Sequence, residues 1–519
     1  MAEKSLHPND AAAKEAAAHH PLAPKGAGAS FLGAGQLAIL TLVVVASLRS
    51  LPAMAVYGLG SVTLYIIPAI IFLIPTALVA AELATGWKGG VYVWIREAFG
   101  ERWGFLGVWL QWIQNVVWYP TQLSFIAAAL AFVVVDPSLA NSGLFTAIVI
   151  LVLYWGSTWV TLAGGKLFAK LGSWGGIIGT LFPAGLLIVF LFVWLGTGQP
   201  SQVSLEPAAV IPPFTGFASI VLIVSNVLAY AGMEVNAVHV NQMKNPGRDF
   251  PKSILLASIL ILAVFILPTI AISVAVPEAE LGLTNGIMLA FQAYFDTWGV
   301  GWLTAVLSAL IAAGAIASVI TWIAGPSKGV LIAAESGLLP PALQSRNKNG
   351  VQVGILILQG ILVTLLAAIF VVVPSVSSAF VALVDMGVAL YLIMYMMMFA
   401  AAIVLRRKEP DVKRAYRVPA MPLVAGVGFL GCLAAFVLTF IPPTGFSTFS
   451  PESYPWIVGL VVVILGVPPL IFYALRKPSW DRRSAAEKAL HGTHDEDAGA
   501  AASPTAARPA TPPPATGTA

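Results

Sequence analysis

Twelve stretches of this chain are nearly unbroken runs of apolar side chains, at 37–58, 61–84, 106–135, 144–163, 174–197, 216–240, 253–276, 300–325, 351–373, 378–405, 422–441 and 455–475. Few folds accommodate such a pattern. A helix of about 20 residues crosses the hydrocarbon of a bilayer, and in lipid every backbone polar group must be satisfied within the segment. The pattern therefore predicts an all-α membrane protein with twelve transmembrane helices. Only 10% of the residues are charged, against about a quarter in soluble domains, so a water-soluble fold is excluded.

Loop charges set the expected sidedness. Lys88, Arg96 and Arg102, then Lys166 and Lys170, then Lys244, Arg248 and Lys252 fall in alternate loops. Lys328, Arg346 and Lys348, the block Arg406 to Arg417, and Arg476 through Lys488 continue the series. The opposite loops hold Asp136, Glu206, Glu278, Glu280, Asp296 and Glu452 and no Lys or Arg. The positive-inside rule then places both termini in the cytoplasm of a cell whose inner membrane holds the protein. The chain divides into a disordered N-terminal tail (1–36), a ten-helix transport core (37–405), two further helices (406–475) and a largely disordered cytoplasmic C-terminal tail (476–519). The first thirty residues lack the apolar stretch of a cleavable signal peptide.

Several functional classes drop out. Cys432 is the only cysteine, so neither a disulfide framework nor a thiolate cluster can form. His or carboxylate pairs at metal-ligand spacing, a nucleophile elbow and a phosphate loop are missing. No cofactor and no enzymatic activity are expected. The net charge of +4 reflects topology rather than nucleic-acid binding, because the basic residues lie in loops without interleaved aromatics. The expected partners are the lipid bilayer and small amino acids or amines. Nothing in the sequence specifies an oligomeric state.

Two runs are interrupted, the first and the sixth. Ser47-Leu48-Arg49-Ser50-Leu51-Pro52 puts a charge, two hydroxyls and a proline inside the first. Ala229-Tyr230-Ala231-Gly232-Met233-Glu234-Val235-Asn236 puts a glycine, an acid and an amide inside the sixth. Breaks at equivalent positions of two five-span halves are the mark of an inverted-repeat transporter, whose freed amides and carbonyls bind the substrate. Simple kinks at Pro52 and Gly232 are the alternative. Half-helix amino ends suit a carboxylate and exposed carbonyls suit an ammonium, so a zwitterionic amino acid fits both.

At these residues the chain resembles the amino acid, polyamine and organocation superfamily, and within it the bacterial glutamate/gamma-aminobutyrate antiporters. The resemblance rests on Ala81-Glu82-Leu83-Ala84 with Gly89-Gly90-Val91-Tyr92-Val93-Trp94, on Gly232-Met233-Glu234 leading to Asn245-Pro246-Gly247-Arg248-Asp249, and on Trp322-Ile323-Ala324-Gly325-Pro326-Ser327. Ala333 to Pro340 is similar to that family's loop after the eighth span. It implies exchange of an amino acid such as glutamate for its decarboxylated amine, such as gamma-aminobutyrate, by alternating access. A proton- or sodium-coupled symporter and a non-transporting sensor are the other readings of the same scaffold.

The candidate substrate-binding residues are Arg49, Ser50, Tyr230, Gly232, Glu234, Trp322, Tyr391 and Tyr395. Glu234 contacts a substrate ammonium, takes part in proton linkage, or caps the half-helix amides. Arg49 departs from the family, which resembles Tyr-Glu-Tyr-Pro where this chain reads Arg49-Ser50-Leu51-Pro52. Its guanidinium suits a carboxylate or sulfonate; an ion pair with Glu234 and snorkelling to the interface are the competing accounts. Tyr391 and Tyr395, four apart, share a helix face and line a pathway or pack. Trp322 gates the site or packs.

Glu82 is expected to be structural, beside Lys88 and Arg96. His239 reads as an interfacial histidine and Asp385 as lining or starting the tenth span. Lys170 lies ahead of the fifth span, whereas some relatives carry a coupling lysine inside it. Ser318 and Thr321 are a weak sodium signal, because hydroxyls also bond helix carbonyls. The folded C-terminal plug of the related antiporters is not expected in the Ala, Pro and Thr of 501–519.

Overall fold

The computed structural model describes residues 33–164, 177–243 and 245–482. Lys166, Lys170, Lys244, most of the N-terminal tail and the C-terminal tail beyond Arg482 lie outside the described residues. Within them regular structure is helical, with only two isolated β-bridges.

In chain order, α1 (Ala34–Val45) and α2 (Leu48–Ala55) form the first run, and α3 (Gly58–Gly86) the second. A short α4 (Gly90–Phe99) precedes α5 (Glu101–Val133), α6 (Gly143–Ala163) and α7 (Ile178–Gly196). The sixth run is α8 (Val221–Tyr230) and α9 (Met233–Asn236). Then come α10 (Pro246–Ala275), α11 (Gly286–Thr297), α12 (Leu303–Glu335), α13 (Val353–Val372), α14 (Val376–Lys408), α15 (Met421–Leu438) and α16 (Tyr454–Leu475).

Ten of these helices are long and apolar enough to cross a bilayer, and the bent first pair makes eleven. Twelve were expected from the runs. The difference lies in the sixth run, where α8 is a short apolar helix and α9 is a single turn, because residues 231 and 232 leave the helical conformation between them.

The long helix α5 is the axis of the bundle: 83% of its most apolar stretch is buried, against 22% for α16. It packs on α12 and α14. The outer helices turn large apolar side chains outward, Val152 and Trp159 on α6 and Trp456 and Leu460 on α16 among them. In water such a surface would drive aggregation; against lipid it costs nothing. Inside α3, Pro68 and Pro75 flank a π-turn at Ala69–Leu73, a local widening that absorbs the missing proline hydrogen bonds.

Candidate functional site

The two interruptions are real breaks with different local causes. Ala46 (ψ 120°) and Ser47 (φ −141°, ψ 126°) are not helical, and the axis turns by 58° across them. Pro52 is not the breaking residue. It follows the 3₁₀ turn Leu48–Ser50, near the start of the α-helical part Leu51–Ala55, where proline is tolerated. In the sixth run Ala231 is extended (ψ 153°) and Gly232 takes φ +101°, a left-handed conformation that costs other residues about 1–2 kcal/mol.

Between the breaks lies a cavity of about 100 Å³. Val45 to Arg49 form one wall and Leu228, Ala229, Ala231 and Gly232 another. Gln114, Asn115, Trp118 and Gln122 enter from α5, Ser318 and Trp322 from α12, and Tyr391 from α14. The first amides of α2 begin at this wall without intrahelical acceptors. The carboxyl end of α8 reaches it from the other side. The cavity therefore presents a positive and a negative helix end together.

Arg49 is 3% exposed. Its guanidinium lies 5.5 Å from the centre of the Phe380 ring, and its Nε has no acceptor. The ion pair with Glu234 considered from the sequence does not form. Snorkelling is excluded as well, since the side chain is buried at the break rather than reaching a surface. A guanidinium at mid-membrane costs roughly 3 kcal/mol on insertion scales, and among the described residues no carboxylate offsets that cost.

Glu234 is buried and fully engaged. Tyr391 donates to its Oε1 at 2.6 Å and Gln111 at 3.2 Å. Tyr395 donates to Oε2 at 2.6 Å and the Gly232 amide at 3.2 Å. The Gly232 amide also reaches the Tyr395 hydroxyl at 3.0 Å. An acid in the first turn of α9 opposes the helix dipole favourably, and hydrogen bonds to a charged group contribute about 1.5–3 kcal/mol each. Glu234 does not line the central cavity. It lines a second one of about 400 Å³, with Lys88 to Trp94, Arg96, Gln111 and Ser336, on the face of the basic loops. The Glu234–tyrosine cluster thus forms the floor between the two cavities.

Of the eight candidates, Arg49, Gly232, Trp322 and Tyr391 meet at the central cavity. Tyr395 lies one turn below Tyr391, their ring centres 4.6 Å apart. Ser50 is buried with an unpartnered hydroxyl and does not line the cavity. Tyr230 is also removed from it, donating to the Tyr65 carbonyl at 3.0 Å beside Phe265. Ser318 lines the cavity, whereas Thr321 donates back to the Ala317 carbonyl. His239 is half-buried in the turn after α9. Asp385 neither starts its helix nor lines the cavity; it is buried and accepts from the Tyr454 hydroxyl.

Glu82 is structural, but its partners are not Lys88 and Arg96. Arg406 grips it with two bonds of 3.0 and 2.9 Å, the Val418 amide donates at 2.6 Å and Arg414 lies at 3.5 Å. Sequence proximity misled here because the loop after α14 folds back over α3. Sequence reasoning also missed Gln111, Gln114, Gln122 and Trp118. Their signal was present as three glutamines spaced along one apolar run, polar groups that hydrocarbon excludes unless they face a cavity or a partner. The segment Pro478 to Arg482, at the start of the tail expected to be largely disordered, packs on the loop after α12: Gln344 donates to the Trp480 carbonyl, and Ser336 and Asp481 pair as a β-bridge.

A polytopic helical membrane protein with two interrupted helices around a polar cavity belongs to the class of solute transporters. The chain is a member of the amino acid permease family, within the amino acid, polyamine and organocation superfamily: residues 32–465 match the family model described as amino acid permease. It is 40% identical over 414 residues, 79% of this chain and 89% of the other, to an uncharacterized transporter of Legionella pneumophila. It is 32% identical over 446 residues, 84% of this chain and 89% of the other, to the glutamate/gamma-aminobutyrate antiporter of Lactococcus lactis. A probable agmatine/putrescine antiporter of the same species is 24% identical over 438 residues, 82% of this chain and 92% of the other. Family and relatives are transporters, and the chain is a multi-pass membrane protein of the amino-acid transport type found in bacterial inner membranes.

Proposed function

We propose that this protein is an antiporter that exchanges an acidic amino acid such as glutamate for its decarboxylated amine, such as gamma-aminobutyrate, and that it is not an enzyme. The observation that carries this is Arg49: a buried guanidinium, unpaired among the described residues, facing a cavity between two broken helices. Glutamate and gamma-aminobutyrate share one carboxylate and one amine, since decarboxylation removes only the α-carboxylate. In this reading Arg49 and the first amides of α2 hold the shared carboxylate, while the carboxyl end of α8 receives the ammonium. A diamine has no group for Arg49.

Trp322, Tyr391 and Gly232 complete the contact surface, and Ser50 and Tyr230 set the geometry of the breaks. Tyr395 and Glu234 act as the floor. Transport proceeds by alternating access, the floor parting to connect the central cavity with the vestibule on the basic face. The proposed topology has twelve spans, α8 and α9 together serving as the sixth. Two five-span inverted repeats open with the first and sixth runs, and both termini are cytoplasmic. The position of each break at the start of a five-span half supports this, and the charge asymmetry of the loops supports the orientation.

Reconstituted vesicles test the exchange. Preloading with unlabelled glutamate or gamma-aminobutyrate accelerates uptake of the labelled partner, and a pH or sodium gradient across empty vesicles does not drive accumulation. Accumulation on a gradient alone would make the protein a symporter, and none under either condition would make it a sensor.

A further inference from the structure

The cavity beside Arg49 receives a buried guanidinium nitrogen that no acceptor of the protein meets. Arg49 is 3% exposed with an unpartnered Nε. Gln114 and Gln122 bring side-chain amides to the same space, each with N–H groups able to donate to an anion. No Asp or Glu is among the described residues lining it. The buried carboxylates of the sixth and tenth spans are engaged elsewhere: Glu234 accepts from Tyr391, Tyr395, Gln111 and Gly232, and Asp385 accepts from Tyr454. A cation so placed in a membrane protein is stable when something of opposite charge shares its site.

We propose that the substrate-free protein holds one small inorganic anion of the chloride class against Arg49, where the substrate's carboxylate sits, so that loading is the displacement of one anion by another. The displacement half rests on the reading of this cavity as the transport site; the anion site itself rests on the geometry of Arg49 alone. Chloride fits because it has no directional demand and accepts from a guanidinium and side-chain amides together. Gluconate carries a carboxylate too, but its long polyhydroxyl chain must enter with it, so it competes for the site far less well than chloride. Chloride then weakens the apparent affinity for carboxylate substrates in proportion to its occupancy of the site.

The test is thermal unfolding of the purified full-length protein without substrate, titrating sodium chloride against sodium gluconate at constant ionic strength, followed by glutamate binding in both salts. Wild type gains a saturable rise in melting temperature with chloride; Arg49→Gln shows none; Arg49→Lys keeps it with weaker apparent affinity. Should Arg49→Gln fail to fold, wild type and Arg49→Lys decide the question by themselves. The apparent Kd for glutamate rises several-fold in chloride. An unchanged melting temperature in chloride, with glutamate binding still dependent on Arg49, overturns the inference and leaves the carboxylate reading intact. Chloride binding at Arg49 that leaves glutamate binding unaffected overturns the displacement and, with it, the assignment of Arg49 to the substrate.

Discussion

Tyr391 donates a 2.6 Å hydrogen bond to Glu234, yet the two residues face different cavities: Tyr391 lines the central one and Glu234 the vestibule on the basic face. The bond joins α14 to the second break and closes the floor of the site. Tyr391→Phe leaves Glu234 Oε1 with only the 3.2 Å contact from Gln111. Loss of a hydrogen bond to a charged group weakens the closed floor by about 1.5–3 kcal/mol. The expected outcome is faster labelling of a cysteine placed at Ala315 from the basic face, at least tenfold over the parent, with the protein still folded. Unchanged labelling would show that the floor does not depend on this bond.

Gly232 takes φ +101°, and a methyl group added at its Cα would meet no side-chain atom closer than Trp322 Cη2 at 3.9 Å, an ordinary contact. Conformation rather than space requires the glycine. Gly232→Ala is expected to cost about 1–2 kcal/mol and Gly232→Asn less, because asparagine tolerates the left-handed region. Melting temperature and exchange rate of the two variants check the order; a worse result for asparagine than for alanine would contradict it.

Glu82 is 1% exposed and holds Arg406, Arg414 and the Val418 amide at the end of α3. Glu82→Gln keeps the shape and removes the charge, so the arginines lose their shared acceptor. A loss of about 1–3 kcal/mol is expected, read as a lower melting temperature. Lys88→Ala should stay within about 0.5 kcal/mol of wild type, as for a surface change without a buried partner. Equal losses in both would contradict the pairing.

Most of the bundle was legible because hydrocarbon imposes one rule on every span: about 20 apolar residues in a self-satisfied helix. The breaks were legible for the same reason, since Arg49 and Glu234 violate that rule in the middle of otherwise apolar runs. What the sequence did not carry was pairing. Arg49 and Glu234 look complementary as letters, but four donors satisfy Glu234, the nearby Gly232 amide and three side chains from two other helices, and only their tertiary convergence reveals it. Glu82 repeats the lesson, its partners lying more than 300 positions away at Arg406 and Val418. Tyr391 and Tyr395 could be put on one face by their spacing, whereas their assignment to different levels of the site required the folded bundle. The short sixth span shows a limit of hydropathy: the run at 216–240 is apolar enough on average to read as one span, but an extended Ala231 and a left-handed Gly232 split it.

Substrate selection rests on Arg49 holding a carboxylate, and counterflow in vesicles containing wild type or Arg49→Ala measures that role. Labelled glutamate and a labelled neutral amino acid are followed side by side. Arg49→Ala is expected to depress glutamate exchange at least tenfold more than exchange of the neutral substrate, a difference of about 1.4 kcal/mol or more in favour of the anion. Equal loss of both, or retention of glutamate exchange, would contradict it.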